Sequence, residues 1–351
     1  MSVKIGLAGN PNCGKTTMFN ELTGSTQYVG NWPGVTVEKK GGKLKGHKDV
    51  EIVDLPGVYS LSPYTLEEVV TRNFMIDDKP DAIINIVDAS NIERNLYLTT
   101  QILELGIPTV VALNMIDIVE KNGDKIDLNK LSKLLGCPVV ETSALKGKGI
   151  KEAAAKAVEL AKRKEKVYFE VPYSKECNDA ILEIEGFAKN NINQDGIEPR
   201  YIAVKLFERD EKIIEKLRLN KDSLNTLEKI IKNCEDAVED DSESIITSDR
   251  YGFIGDIVSK TVKKGSTSHE TTSDKIDKIV TNRFLALPIF AAIMWAVYYI
   301  AVSSVGTLIT DWTNDTLFGE IIAGNLGSML ESLNVADWLH GLVMNGLVGG
   351  I

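Results

Sequence analysis

The chain has 351 residues, 43% of them hydrophobic, which is enough for two or more packed domains and excludes a disordered polypeptide. A net charge of −10, with no strongly basic stretch, excludes a protein that grips nucleic acid by neutralising its backbone. Cys13, Cys137, Cys177 and Cys234 form no CxxC pair and show no metal-ligand spacing, and no secretory leader is seen, so reduced thiols in a cytosolic compartment are expected.

Over residues 1–165, apolar strand-like runs from Val3 to Ala8, Val50 to Val53, Ala82 to Val87, Thr109 to Leu113 and Val139 to Val140 alternate with helical stretches. That alternation predicts an α/β domain with a mainly parallel sheet, its functional loops at the carboxyl ends of the strands. From residue 166 to 264 the pattern turns helical, with apolar positions at Leu224, Leu227, Ile230, Ile231 and Cys234, and again at Ile254, Ile257, Val258 and Val262. A small all-α helical domain is expected there, and the acidic run from Glu235 to Glu243 reads as a solvated helix end. Residues 265–283 read as a flexible linker.

Residues 284–310 carry no charge and would span about 40 Å as a helix, more than a bilayer needs. This predicts a transmembrane helix. Lys260, Lys263, Lys264, Lys275, Lys278 and Arg283 precede it and no Lys or Arg follows, so residues 1–283 are expected on the cytoplasmic side. Residues 311–351 read as an amphipathic segment and the start of a second membrane segment, as in a piece of a larger multi-pass protein. His340 offers no readable ligand set.

Gly9 to Thr17, reading GNPNCGKTT after the first strand, matches G-x-x-x-x-G-K-[ST]. Backbone amides of Gly9, Asn10, Pro11, Asn12, Cys13 and Gly14 would cradle phosphate, apart from Pro11, which has no N–H. Lys15 would neutralise the β- and γ-phosphates, and Thr16, next to Thr17, would offer a hydroxyl to Mg²⁺. Cys13 needs only to be small. Asp54, Leu55, Pro56 and Gly57 form a second phosphate-side motif, with Asp54 near Mg²⁺ and the Gly57 amide facing the γ-phosphate. Between them Gly34, Val35 and Thr36 supply a second candidate Mg²⁺ hydroxyl, Thr36. Asn114, Met115 and Asp117 close the fourth strand, where a carboxylate can accept from the ring N–H and exocyclic amine of guanine; Ser143 and Ala144 supply backbone for the guanine oxygen. Five ordered motifs favour GTP over ATP and predict a GTPase.

These motifs, with GNWPGVT and PYTLEE among them, resemble the bacterial ferrous iron transporter B (FeoB) family, a GTPase fused to a membrane domain. The resemblance covers essentially the whole chain. It implies a Ras-like P-loop GTPase domain, a GDP-dissociation-inhibitor-like helical domain, and Fe²⁺ uptake across the inner membrane. Its implied partners are GTP and GDP, Fe²⁺ as cargo, a lipid bilayer, small accessory proteins of the same transport system and a homo-oligomer, with no nucleic acid. Met115 stands where many GTPases have Lys, which keeps the apolar contact with the base and loses the charge.

Val58 follows Gly57 where related switches carry a Gln that orients the attacking water. No Arg occurs before Arg72, and Arg72 and Arg94, the only two before Arg163, lie outside the phosphate motifs. The resemblance implies a substitute: K⁺ held by Asn12 and by backbone carbonyls of Gly30 and Trp32, with Glu67 and Glu68 in a network around the water. The other reading of those three side chains is a capped turn and a solvated helix start. Two further classes stay open at this stage, a membrane-anchored regulatory GTPase that transports nothing, and an RNA- or ribosome-associated GTPase with the same loop.

Overall fold

The structure, a computed structural model, describes residues 3–24, 27–163, 168–191, 197–265, 276–277, 279–333 and 335–348. It divides into two compact units, Met1–Ser268 and His269–Ile351.

In the first unit, seven strands form one sheet: β1 (Val3–Gly9), β2 (Gln27–Asn31), β3 (Glu38–Leu44), β4 (His47–Asp54), β5 (Ala82–Asp88), β6 (Thr109–Asn114) and β8 (Val139–Glu141). Their order is β2-β3-β4-β1-β5-β6-β8. β4, β1, β5, β6 and β8 run parallel, in registers such as Ile5 opposite Ile52 and Leu113 opposite Glu141. All five expected strands are present and their carboxyl ends share one edge. β2 and β3 were not expected: they form an antiparallel hairpin against β4, and every residue of β2 is exposed. Side chains alternate across the sheet, so Ile84 and Ile86 join one core while Ile83 and Val87 enter cores on the other side. With both faces covered, the central strands are almost wholly apolar.

The helices of this part are α1 (Lys15–Thr23), α2 (Leu66–Asn73), α3 (Ile92–Glu104), α4 (Ile116–Lys121), α5 (Leu128–Leu135) and α6 (Ile150–Arg163), with a two-residue strand β7 (Lys125–Ile126) between α4 and α5. The helical part holds α7 (Lys175–Asn191), α8 (Pro199–Phe207), α9 (Glu211–Leu217), α10 (Lys221–Val238) and α11 (Ser242–Thr261). The expected boundary at 165/166 lies outside the described residues. The acidic run ends α10 and starts α11, where Asp241 accepts from the Ser244 amide as the helix cap.

α11 returns to the sheet-bearing part. Ile254 and Ile257 pack in one core with Leu131 and Leu135 of α5 and with Val111, and the strand that follows, β9 (Val262–Lys263), pairs antiparallel with β7. Helical periodicity shows that α11 has an apolar face, whereas the partner of that face is a tertiary fact.

In the second unit, one helix, α12, runs from Ala286 to Ser332 over 47 residues; its most apolar 18-residue window has mean hydropathy 1.9, and none of that window is buried. It is the one helix among the described residues long and apolar enough to cross a membrane. The expected end at Thr310 is absent, because no proline follows Pro288 and the Gly306 and Gly324 positions are absorbed in helical turns, some of π type. A short helix, α13 (Asp337–Gly341), follows. Most of the expected linker, residues 266–275 and 278, lies outside the described residues.

Candidate functional site

The loop from β1 to α1 turns tightly. Asn12 and Gly14 have φ of 65° and 90°, the left-handed region that only glycine enters without cost. A side chain at Gly14 would also collide with the Asn114 carboxamide, and one at Gly9 would sit 2.7 Å from both Cys13 Sγ and the Ile86 carbonyl oxygen. α1 starts at Lys15 with no side-chain cap, which leaves its first-turn N–H groups available to an anion. Burial pushes the Cys13 thiol up to about 11 and the nearby Lys15 opposes it, so the sulfur stays protonated and acts only as a small buried group.

β4 delivers Asp54 to this loop through the parallel register of Leu7 with Asp54. Asp54 is buried, and its carboxylate meets Lys15 Nζ at 2.6 Å. Burial raises its pKa above the ordinary carboxylate value while Lys15 pulls the other way. The chain then follows the phosphate loop: the Leu55 amide donates to the Leu7 carbonyl at 3.0 Å and the Val58 amide to the Gly9 carbonyl at 3.3 Å. A Cβ on Gly57 would sit 3.2 Å from Pro11 N and Cα, so glycine alone allows this approach. Val58 turns its side chain inward, 3% exposed, into the core with Leu61, Val70 and Phe74.

Asn114, expected beside the base, also has a structural task. Its Nδ2 donates to the Cys13 carbonyl at 2.8 Å and its Oδ1 accepts from the Ala144 amide at 2.8 Å, which ties three loops together. Met115 sits at φ 61° and turns the chain so that Asp117 comes up beside Ser143, whose hydroxyl donates to Asp117 at 3.3 Å. Lys146 adds a 3.4 Å ion pair. Desolvation opposes ionisation of Asp117, but the hydrogen bond from its own backbone amide, with Lys146 and Ser143, holds its carboxyl below the usual range.

Thr16, Thr17 and Thr36 are exposed, and among the described residues no hydrogen bond joins Thr36 to the phosphate loop. Gly34 and Val35 occupy the turn of the β2–β3 hairpin, where Gly34 has φ 76° and the Val35 amide donates to the Trp32 carbonyl at 3.3 Å. Gly30 is paired opposite Lys39. Trp32 is buried edge-on to Phe74 at 5.7 Å with Lys39 Nζ above its ring at 4.5 Å. The structure therefore brings together Gly9 to Thr17, Asp54 to Gly57, Asn114 to Asp117, Ser143 and Ala144, and leaves residues 30–36 in a hairpin of their own. In the phosphate loop and the hairpin, both carboxamide atoms of Asn10 and the Trp32 indole nitrogen are buried without a hydrogen-bond partner among the described residues.

Glu68 caps α2: Thr65 Oγ1 accepts from the Glu68 amide and Glu68 Oε2 from the Thr65 amide at 3.0 Å, while Glu67 is exposed. The helix-start reading of this pair describes these contacts. Two residues near the site carried no sequence signal. Gln101 Oε1 accepts from the Leu61 amide at 2.7 Å, and Arg94 lies 4.1 Å above the Tyr59 ring, so the arginine expected away from the phosphate motifs touches one of their loops.

Residues 3–157 match the family model described as ferrous iron transport protein B, and residues 173–263 match that of the FeoB cytosolic helical domain. The Fe(2+) transporter FeoB of Legionella pneumophila (strain Lens) is 40% identical over 354 residues, covering 98% of this chain and 45% of that protein. The chain spans about half the length of the curated relatives it matches. Among solved structures, a GDP-bound mutant of the N-terminal FeoB region from S. thermophilus is 44% identical, covers 74% of this chain and 100% of that one, and gives a TM-score of 0.70. A mutant of the same protein bound to GDP·AlF4⁻ is 45% identical, covers 73% and 99%, and gives 0.64.

Proposed function

This chain belongs to the ferrous iron transport protein B family, and from that premise we propose that it is the GTP-binding, GTP-hydrolysing part of a larger ferrous iron transporter. One observation carries the nucleotide reading. Asn114 joins the Cys13 carbonyl to the Ala144 amide while the Val58 amide reaches Gly9, so phosphate and base loops meet at one sheet edge. Residues 1–165 serve as the GTPase domain, 166–264 as the GDP-dissociation-inhibitor-like helical domain and 265–283 as the linker to the membrane helix.

In this reading the amides from Gly9 to Thr17 bind the phosphates, Lys15 leaves Asp54 to neutralise the β- and γ-phosphates, and the Gly57 amide faces the γ-phosphate. Asp117, with Ser143 and Ala144, selects guanine, and Met115 packs on it. Asn114 fixes the loops and keeps one N–H of its carboxamide for the nucleotide. Thr16, Thr36 and Asp54 would hold Mg²⁺, which would supply positive charge to the phosphates; a buried carboxylate next to an uncapped helix start suits it. For K⁺, Asn12 fits, since its left-handed backbone turns an exposed carboxamide out beside the loop. Gly30 and Trp32 would join it through their backbone carbonyls, the Trp32 carbonyl sharing its lone pairs with the Val35 amide.

The decisive assay is phosphate release from GTP against ATP, in K⁺ and in Na⁺ at equal ionic strength. GTP turnover that exceeds ATP turnover, and that collapses in Lys15→Ala, is expected; no preference for GTP overturns the reading. Equal rates in the two salts, or an unaffected Asn12→Ala, remove K⁺ from it. Transport of Fe²⁺, in a multi-pass inner-membrane protein with residues 1–283 in the cytoplasm, is tested by radiolabelled Fe²⁺ uptake in cells carrying the full-length gene. Lys15→Ala should abolish uptake if hydrolysis is coupled to it, whereas a regulatory GTPase without transport gives no uptake in either form.

A further inference from the structure

With Val58 turned into the core, that position contributes to hydrolysis only through where the backbone of the segment from Leu55 to Tyr64 lies. That backbone is irregular from the end of β4 to the start of α2. Beyond its two amide contacts to β1 and the phosphate loop, it is tied to α3 at two points. The Leu61 amide donates to Gln101 Oε1 at 2.7 Å between residues that are both fully buried. The Tyr59 ring lies under the Arg94 guanidinium at 4.1 Å. Arg94 and Gln101 are seven residues apart and share one stripe of the helix.

α3 is suited to serve as the fixed end of these ties. Its neighbouring stripe is clamped to α11: Arg250 reaches Glu104 at 2.8 Å and Thr100 at 3.2 Å, Tyr173 donates to Glu104 at 2.8 Å, and Tyr97 stacks on Tyr251 at 5.1 Å. Arg250 and Glu104 are almost wholly buried, so this clamp cannot be exchanged for water contacts without cost. On its other side Thr99 accepts from Asn85 of β5 at 2.7 Å.

We propose that Arg94 and Gln101 are positioning residues for GTP hydrolysis, acting through Tyr59 and Leu61 to hold the Gly57 amide against the phosphate loop. The proposal rests on the GTPase reading above. Neither residue touches nucleotide, so loss of either lowers turnover while leaving affinity for the diphosphate, which Gly57 does not contact, unchanged.

The test is steady-state GTP hydrolysis and fluorescent-GDP binding by the full chain in detergent. Arg94→Ala and Tyr59→Ala should each lower kcat about three- to fivefold, the scale of an exposed cation–π contact, with KM for GTP and GDP affinity within about twofold of wild type. The double variant should be no slower than either single one, and Arg94→Lys and Tyr59→Phe should recover most of the loss. Gln101→Met, which keeps volume and removes the acceptor, should lower kcat about tenfold by stranding a buried amide. If its melting curve shows that it does not fold, the exposed Arg94 and Tyr59 pair decides alone. Singles within twofold of wild type, additive losses in the double, or a parallel loss of GDP affinity overturn the proposal. Wild type that turns over no GTP refutes the GTPase reading and this proposal together; wild-type turnover unchanged in the variants refutes this proposal alone.

Discussion

Gly57→Ala tests the site at its tightest point. Gly57 is not among the residues of positive φ, so alanine brings no backbone strain, and the whole effect comes from one methyl group. That methyl would lie 3.2 Å from both Pro11 N and Pro11 Cα, inside the roughly 3.5–4.0 Å at which carbon contacts are favourable. The contact atoms are backbone of the phosphate loop, so the Asp54–Gly57 segment must retreat by about 0.3–0.8 Å. A hydrogen bond of about 2.9 Å stretched by that amount passes the 3.2 Å limit of useful geometry. Losing one such donor to developing charge costs about 10²–10³ in kcat in well-studied cases. Gly57→Ala should therefore lower GTP turnover by about a hundredfold at saturating GTP and Mg²⁺, while GDP affinity, read by fluorescence titration, stays within about threefold. Turnover within twofold of wild type would show that the Gly57 amide does not face reacting phosphate.

Val58→Gln should not speed hydrolysis: the side chain points into the core, and a carboxamide without a partner there costs about 1–3 kcal/mol, read as a lower melting temperature with unchanged or slower turnover. A faster enzyme would mean the loop turns this residue outward. Arg72→Met strands Asp210, its partner at 2.7 Å with both side chains 3% exposed, and should destabilise the first unit by about 3–5 kcal/mol in denaturant titration. Asp210 also caps α9, so replacing both residues should not fully restore stability. Arg209 bonds Glu228 and Glu235 and holds both carboxyls below the ordinary value of 4.5. Depressed carboxyls stabilise the fold above that value and lose the effect as pH falls through their lowered pKa. Melting temperature should thus drop in acid more steeply for wild type than for Arg209→Met, the two curves converging at low pH.

The phosphate and base motifs were legible because phosphate chemistry asks for particular residues at consecutive positions, and Asn12, Lys15, Asp54, Gly57 and Asp117 all lie in such runs. The β2–β3 hairpin was not, since QYVGN and EKKGGKL mix glycine and lysine without apolar alternation and β2 buries nothing. The return of α11 to α5 was hidden for another reason: an apolar face on Ile254 and Ile257 is the same whichever core receives it. The bridge that Asn114 makes from Cys13 to Ala144 was not legible, because a carboxamide that ties loops and one that does not give identical sequence. Gln101 and Arg94 are ordinary polar helix residues, and only the path of the loop over α3 gives them meaning.

The remaining question is where positive charge comes from when the γ-phosphoryl group leaves. Arg72 is spent on Asp210 and Arg94 on Tyr59, so neither can swing to phosphate without breaking a contact that fixes the fold or the loop. Lys15 is the one cationic side chain in the phosphate loop, and it is neutralised by Asp54 in this structure. In the proposed reading, drawing Lys15 onto phosphate frees the buried Asp54 carboxylate for a second cation, so phosphate and Mg²⁺ would favour each other's binding. Together with the uncapped amides of α1 these supply ground-state neutralisation, which speeds the reaction only as far as it grips the developing charge more tightly than the bound triphosphate. A selective contribution has to come from groups aimed at the charge that develops as the bond breaks. In the proposed reading those are the Gly57 amide, tied against the phosphate loop, and the cation that Asn12, Gly30 and Trp32 would hold, with Thr36 on Mg²⁺.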